Sequence, residues 1–331
     1  MSRPNLFSFA TSELSQDAFF CWLAQWASPH YSTNDINLHI LGWEFLNLLV
    51  SEKEKALNPD IRNLKVTRQY KNIDILIEFN ESFAICIEDK CGGTDHESKL
   101  RRYIQYLLAD GFNNGDIIPV YIQTRDQADY SEIENAGYSI ITREHLLNLF
   151  NSYITRGGTN DIVIDFFHHL QAIDDEYNQY RTTPIIEWSG SAWCGFYAEI
   201  RRRICDGSWG YVPNKSGGFH GFWWYRCSDD QSERYLQLEE SKLCFKISVE
   251  NREDRSRLRS FWKDAVLRQA EAAGLQVIRP TSFGRGKSMT VAVLAYDYRI
   301  INQEGFIDLE KTVAVMHEAK QVLLKASESG A

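Results

Sequence analysis

The chain has 331 residues, 44% of them hydrophobic and 24% charged, with a formal net charge of −9; that length predicts two domains, or one core with a large addition. No run approaches the ~20 apolar residues of a membrane span, and Met1-Ser2-Arg3-Pro4-Asn5 has no signal-peptide hydrophobic region. Seven cysteines, scattered from Cys21 to Cys244 without a C-x-x-C, exclude a zinc ribbon or disulfide scaffold and predict reduced thiols in a cytoplasmic protein.

The periodicity predicts a helix over residues 12–26, capped by Thr11 or Ser12. Its expected apolar stripe is Leu14, Ala18, Cys21, Trp22 and Gln25, widened by Phe19, Leu23 and Trp26. A second helix is expected over 35–51 and a short strand over 66–70. Two β-rich runs follow, 71–79 and 83–90, joined by the polar turn Asn80-Glu81-Ser82, and they read as a hairpin. Cys86 is expected to pack in it as a small hydrophobe. Next come a helix over 95–108, a largely apolar strand over 117–124, a short helix over 131–136, and a strand over 138–142. Helices over 143–151 and 162–180 complete the first half. The order α-α-β-β-β-α-β-α-β-α-α predicts a mixed sheet flanked by helices.

A boundary is expected near Arg181-Thr182-Thr183-Pro184, giving domains of 1–180 and 181–331. The second is expected to be α/β, with helices over 193–205, 254–273 and 308–326. Its strands are expected over 219–227, 235–239, 242–250, 276–280 and 289–298. Charge divides unevenly: residues 1–180 carry 14 Lys+Arg against 26 Asp+Glu, and 181–331 carry 22 against 19. The second half would therefore supply the attraction for a polyanion, or simply carry an ordinary mixed surface.

The hairpin holds the chemistry. If Phe79 pairs with Phe83, the paired numbers sum to 162 and Asp74 lies opposite Glu88. Cross-strand Cβ atoms are roughly 4.5–5.5 Å apart, and opposed like charges destabilise a sheet. A hard, oxygen-liganded divalent cation would compensate them. Lys90, two residues past Glu88, shares its face. Glu-x-Lys occurs four times, at 88–90, 97–99, 240–242 and 318–320. Helical spacing turns the second and last pairs apart, and the third sits at a turn. Only the first has both carboxylates on adjacent apolar strands in facing register.

Asp74, Glu88 and Lys90 resemble the active site of the PD-(D/E)XK nuclease superfamily, which has the restriction-endonuclease-like fold. The segment Glu13-Leu14-Ser15-Gln16-Asp17-Ala18 resembles the first helix of a bacterial branch of that superfamily, in which the glutamate joins the acidic site. The likeness covers residues 5–150, and more distantly the C-terminal region. It implies phosphodiester hydrolysis with Mg²⁺ or Mn²⁺, DNA as substrate, and a restriction or phage-defence setting with a second copy or a defence-system protein as partner. Asp74 and Glu88 would hold the metal, with Glu13 through water and a backbone carbonyl of Asp89, and Lys90 would orient the attacking water. Ile73 stands where the family's proline precedes the aspartate. Lys99-Leu100-Arg101-Arg102-Tyr103 stands where relatives carry Gln-x-x-x-Tyr, so Lys99, Arg102 and Tyr103 become nucleic-acid candidates, with a solvated helix face the other reading of Lys99. Asp17, one turn after Glu13, reads either as an exposed first-turn acid or as a further carboxylate of the site.

Elsewhere, Arg255 and Arg259 are spaced i, i+4 on an expected helix and would pair with Glu253 and Asp254 or meet phosphate. Gly284-Arg285-Gly286-Lys287-Ser288 echoes a phosphate-binding loop, but a strand rather than a helix follows it; Arg285 and Lys287 are then a basic hairpin tip. Phe219, Phe222, Trp223, Trp224 and Tyr225 read as core, and His168-His169 as packing. The expectation is a metal-dependent nuclease domain followed by an accessory domain. Its rival is a non-catalytic nuclease-fold module that binds nucleic acid or a protein partner.

Overall fold

In the computed structural model, residues 4–51, 62–80, 83–214 and 217–330 are described; Glu81 and Ser82 of the expected hairpin turn lie outside them. The chain divides into two compact units, 1–175 and 176–331.

The first unit opens with α1 (Glu13–Gln25), capped by the Ser12 hydroxyl accepting from Ser15 N–H. The helix α2 (Ile36–Ser51) follows, with Asp35 Oδ1 accepting from the N–H groups of Asn37 and Leu38. Gly42 lets these two helices touch: a Cβ there would lie 2.6 Å from the Ala27 backbone nitrogen, so any side chain would push α2 off α1. Then come β1 (Leu64–Tyr70), β2 (Ile73–Phe79), β3 (Phe83–Lys90), α3 (Glu97–Ala109), β4 (Ile117–Gln123), α4 (Ser131–Asn135), β5 (Ser139–Thr142), α5 (Arg143–Thr155) and α6 (Asp161–Asn178). The five strands form one sheet in the order β1-β2-β3-β4-β5. The first three are antiparallel, as tight hairpins require, and β3, β4 and β5 run parallel because helices cross between them. This is the expected mixed sheet flanked by helices.

The hairpin register is the expected one. Phe79 faces Phe83 and the pairing runs to Ile75 with Ile87. The short turn sets it, and side-chain fit on two buried faces keeps it: Leu76, Ala84 and Cys86 enter a core with Leu100, Tyr103 and Leu107 of α3, while Ile75, Ile77, Ile85 and Ile87 are buried on the other face, and a one-residue slip would exchange the two sets. Behind the sheet, Phe19 stacks on Phe166 and Phe20 on Phe45, which fixes α1 over the carboxyl end of β3.

The face of α1 is not the one expected. Leu14 is 53% exposed and Ala18 is exposed, whereas Gln16, Asp17, Phe19, Phe20, Leu23 and Ala24 are buried. The helix turns two polar side chains inward because β3 offers them a polar partner.

The second unit contains α7 (Gly190–Ile204), β6 (Ser208–Val212), β7 (Phe219–Ser228), β8 (Glu233–Glu239), β9 (Lys242–Ser248), α8 (Arg255–Ala273), β10 (Val277–Ile278), β11 (Ser288–Leu294) and α9 (Leu309–Gly330). Its sheet is antiparallel, ordered β10-β11-β9-β8-β7-β6. The edge strand β6 is absent from the sequence reading, because Gly210 interrupts it; a Cβ there would press on the Trp223 ring at 3.3 Å. Strand β11 ends at Leu294 rather than 298, since Asp297 turns the chain by accepting from Arg299 N–H.

Candidate active site

Adjacent ends of β2 and β3 bring Asp74, Glu88 and Lys90 together. Lys90 Nζ lies 2.6 Å from Glu88 Oε1 and 3.8 Å from Asp74 Oδ2. Glu13, the first residue of α1, comes within 3.5 Å of the same ammonium. It is tied to the chain after β3 by the Cys91 N–H, 3.4 Å from Glu13 Oε1. A fourth carboxylate, Asp95, reaches Lys90 at 3.4 Å. Lys90 also donates to the Asp89 carbonyl at 3.0 Å.

Asp74 sits where the sheet opens. The pairings of β1 with β2 sum to 143 and those of β2 with β3 to 162, so Gln69 and Glu88 are its neighbours by register, yet neither forms a ladder pair with it. Gln69 has φ of 59°, left-handed for a non-glycine residue. Its Nε2 donates to Asp74 Oδ1 at 3.1 Å and to Asp17 Oδ2 at 3.3 Å. The other Asp74 oxygen accepts from the Asp89 N–H at 3.0 Å.

Alternation turns the Asp89 side chain away from Glu88 and onto α1, where Oδ1 accepts from Gln16 Nε2 at 2.6 Å. Gln16 Oε1 in turn accepts from Thr124 Oγ1 at 3.3 Å. Asp17 is not an exposed first-turn acid: it is 1% exposed, with the buried Asp89 carboxyl as its neighbour. Asp17 Oδ1 and Asp89 Oδ2 are each buried without a donor, and a proton on Asp89 directed at Asp17 would satisfy both. Burial, then the Asp74 charge, pushes Asp17 up to about 6. Burial likewise holds Asp89 well above the ordinary carboxylate range, against the Gln16 hydrogen bond.

Glu88 is fully buried. Burial, the Asp95 carboxyl and the Asp74 charge push it up to about 8, against the pull of Lys90. Burial would lower Lys90, but Glu88, Asp74 and Asp95 outweigh it and hold the ammonium above the usual lysine range. Lys99 is not a solvated helix face. From α3 its Nζ reaches Glu88 Oε1 at 2.6 Å and Asp95 at 3.0 Å. Tyr103 is buried beneath it, with the ammonium 5.7 Å from the ring centroid. Arg102 is exposed.

Among the described residues no three His, Cys, Asp or Glu side chains group closely enough to hold a metal by themselves. The Lys90 ammonium stands among the carboxylates. Mg²⁺ does not require three: it takes one or two carboxylates and keeps several waters. Glu88 Oε2 is buried without a donor, and the Asp74 carboxylate and the Asp89 carbonyl gather with Glu88 around the Lys90 ammonium. These are hard oxygen donors, and the set fits such a cation.

The basic candidates of the second unit are engaged locally. Arg255 donates to the carbonyls of Val249 and Glu250 at 3.0 and 3.1 Å. Arg259 donates to the Gly284 carbonyl at 2.9 Å and lies over Phe283. Neither takes Glu253 or Asp254 as its partner, because the loops before α8 and β11 present carbonyls to them first; Arg257 pairs with Asp254 instead. Lys287 pairs with Glu250, and Arg285 is exposed. Phe222 and Trp224 are buried as expected of core.

The sequence reading overlooked Asp95, Gln69 and Gln16. For Asp95 a signal existed, since an aspartate four residues before Lys99 across a helix start is an ion-pair spacing. Gln69 carried none, because nothing in its neighbours demands a left-handed residue.

The profile of the PD-(D/E)XK nuclease superfamily matches residues 4–189, more than half of the chain. No curated protein and no solved structure gives a match.

Proposed function

The chain belongs to the PD-(D/E)XK nuclease superfamily, and from that premise we propose that it hydrolyses phosphodiester bonds of nucleic acid, DNA above all, with Mg²⁺ or Mn²⁺. The observation that carries this reading is the convergence of Asp74, Glu88 and Lys90 from adjacent strands, with Lys90 Nζ 2.6 Å from Glu88 Oε1. Residues 1–180 act as the nuclease domain and 181–331 as an accessory domain.

Asp74, Glu88 and the Asp89 carbonyl would hold the cation, with Glu13 reaching it through water. When bound, it supplies Lewis acidity toward the scissile phosphate and toward water. Lys90 acts as a donor rather than a base, since its carboxylate neighbours keep it protonated. It orients the attacking water and stabilises charge developing on the phosphate. Gln69 and the Asp89 N–H hold the Asp74 carboxylate from behind, so that it needs little rearrangement as charge develops. The setting we propose is restriction or phage defence in the cytoplasm, with a second copy or a defence-system protein as partner; its support is the likeness of the α1 segment to a bacterial branch. No helix among the described residues is long and apolar enough to cross a membrane.

A second reading, a non-catalytic nuclease-fold binding module, draws on one observation: Lys90 and Lys99 are both ion-paired to Glu88. One assay separates the two. The protein is incubated with plasmid, single-stranded DNA and RNA in Mg²⁺, Mn²⁺ or EDTA, beside Asp74→Asn and Lys90→Ala. Cleavage that needs the divalent ion and falls by about 10²–10³-fold or more in both folded variants is expected. Full activity in either variant rejects the assignment, and no cleavage under any metal favours the binding module.

A further inference from the structure

Two lysines reach one buried carboxylate oxygen. Lys90 Nζ and Lys99 Nζ each lie 2.6 Å from Glu88 Oε1. Two ammoniums on one oxygen repel each other, and a lysine on the first turns of α3 has solvent close by, since Lys99 remains 32% exposed. The arrangement therefore needs a reason. The surrounding carboxylates supply it: Glu13, Asp74, Glu88 and Asp95 all lie within 4 Å of one ammonium or the other. With all four ionised, as cation binding requires, the carboxylates against two ammoniums carry a formal charge of −2, which one divalent cation cancels. Lys99 differs from Lys90 in standing at the solvent side of the cluster, 32% exposed against 13%, and in having Asp95 at hydrogen-bond distance already. Asp95, only 11% exposed, stands 3.0 Å from Lys99 Nζ and four residues before it. Glu88 Oε2 meanwhile receives no donor.

We propose that Lys99 is an internal counter-ion that holds Glu88 until a divalent cation loads, and that Asp95 is the carboxylate onto which Lys99 then withdraws. The pair sets the cation concentration at which the site fills. This inference rests on the metal-site reading above, and deepens it by naming two positioning residues. Lys99 stays inside the ion cluster in both states, so it does not serve as a phosphate contact.

The two residues act in opposite directions. Without Lys99 the cation no longer competes with an ammonium for Glu88, so Lys99→Gln binds Mn²⁺ more tightly. Without the Asp95 charge Lys99 has no second partner and stays on Glu88, so Asp95→Asn binds Mn²⁺ more weakly. Outer partners of metal ligands shift affinity by about 10–100-fold, and about ten-fold is expected in each direction. Through-space charge alone would give the same two signs, and the double variant separates the explanations. If Lys99 must move onto Asp95, the Asp95→Asn effect vanishes once Lys99 is gone. If charge alone acts, the two effects add.

The experiment is calorimetric titration of Mn²⁺ into the full-length wild-type protein, Lys99→Gln, Asp95→Asn and the double variant, with thermal denaturation in EDTA to confirm folding. Tighter binding in Lys99→Gln together with a silent Asp95→Asn substitution on that background supports the proposal. Unchanged or weaker binding in Lys99→Gln, or additive effects, overturns it. Asp74→Asn is the control for the underlying reading: wild-type Mn²⁺ binding that survives Asp74→Asn overturns the metal site itself, whatever Lys99 does. If wild type shows no binding and Lys99→Gln does, the counter-ion proposal stands.

Discussion

Asp17 and Asp89 are neighbouring buried carboxyls, and one oxygen of each lacks a donor. Asp89 holds its proton to higher pH than Asp17, so ionising Asp17 places a first charge in a dry site. The folded-state pKa of Asp17, about 6, exceeds its ordinary 3.8, so the folded protein holds a proton that the unfolded chain gives up over that window. The contribution of Asp17 to stability therefore falls as pH rises from about 4 to about 6, by about 3 kcal/mol. Asp17→Asn removes the proton requirement, and its amide can donate to Asp89 Oδ2. The variant is expected to melt higher than wild type at pH 8 in EDTA, and to lose the Asp17 share of the fall between pH 4 and 6, with the shares of Glu88 and Asp89 remaining. Thermal denaturation across pH checks this, and a lower midpoint at pH 8 would mean that the Gln69 hydrogen bond outweighs the cost of the ionised Asp17. The burial of Asp17 was not legible in the sequence. A polar residue on a helix looks the same whether it meets water or a carboxylate 72 residues away in the chain.

The strands around Asp74 pose a different problem. An ideal ladder would pair Asp74 with Gln69 on one side and Glu88 on the other, and both pairs are missing. The left-handed Gln69, at φ 59°, breaks the first. Such a residue costs of order 1–3 kcal/mol and persists only where its surroundings enforce it. Here its amide bridges Asp74 and Asp17. Gln69→Gly accepts the same backbone without strain but removes the bridge. Its thermal midpoint is expected within a few degrees of wild type, while Mn²⁺ affinity drops about 10–100-fold, as for other outer partners of a metal site. Calorimetry and melting on one preparation test this together, and equal losses in both would reduce Gln69 to a structural residue. The hairpin itself was legible, since two apolar β-rich runs flank a turn short enough to pair Phe79 with Phe83. The buried face of α1 and the edge strand β6 were not. The first is set by polar contacts to β3, and the second by a glycine that clears room for Trp223. The Asp74–Glu88–Lys90 set could be read because strand register converts spacing into distance. Asp95 joins it through a loop, where spacing carries no such conversion.

At the scale of the whole chain, residues 1–180 carry an excess of twelve negative charges and the remainder an excess of three positive ones. A polyanionic substrate meets repulsion from the first and little attraction from the second. Among the basic residues singled out there, Arg255 and Arg259 donate to backbone carbonyls, and Lys287 pairs with Glu250. Arg285, exposed at the hairpin tip, supplies one charge, so the larger part of the attraction must come from the divalent cation, which turns the acidic cluster into a phosphate site. Binding of a short fluorescent duplex, followed by anisotropy near physiological salt, is expected to be weak in EDTA and restored by Ca²⁺, which accepts the same oxygen ligands. Asp74→Asn is expected to lose the restored part. Attraction by a basic face predicts the reverse: binding that persists in EDTA and weakens steeply as salt rises, with a slope set by the number of phosphates neutralised. That outcome would move substrate recognition to residues 181–331 and leave the cation a chemical role only. The carbonyl-bound state of Arg255 and Arg259 argues for the first, because freeing either guanidinium for a phosphate would give up hydrogen bonds that anchor the start of α8 and the loop before β11.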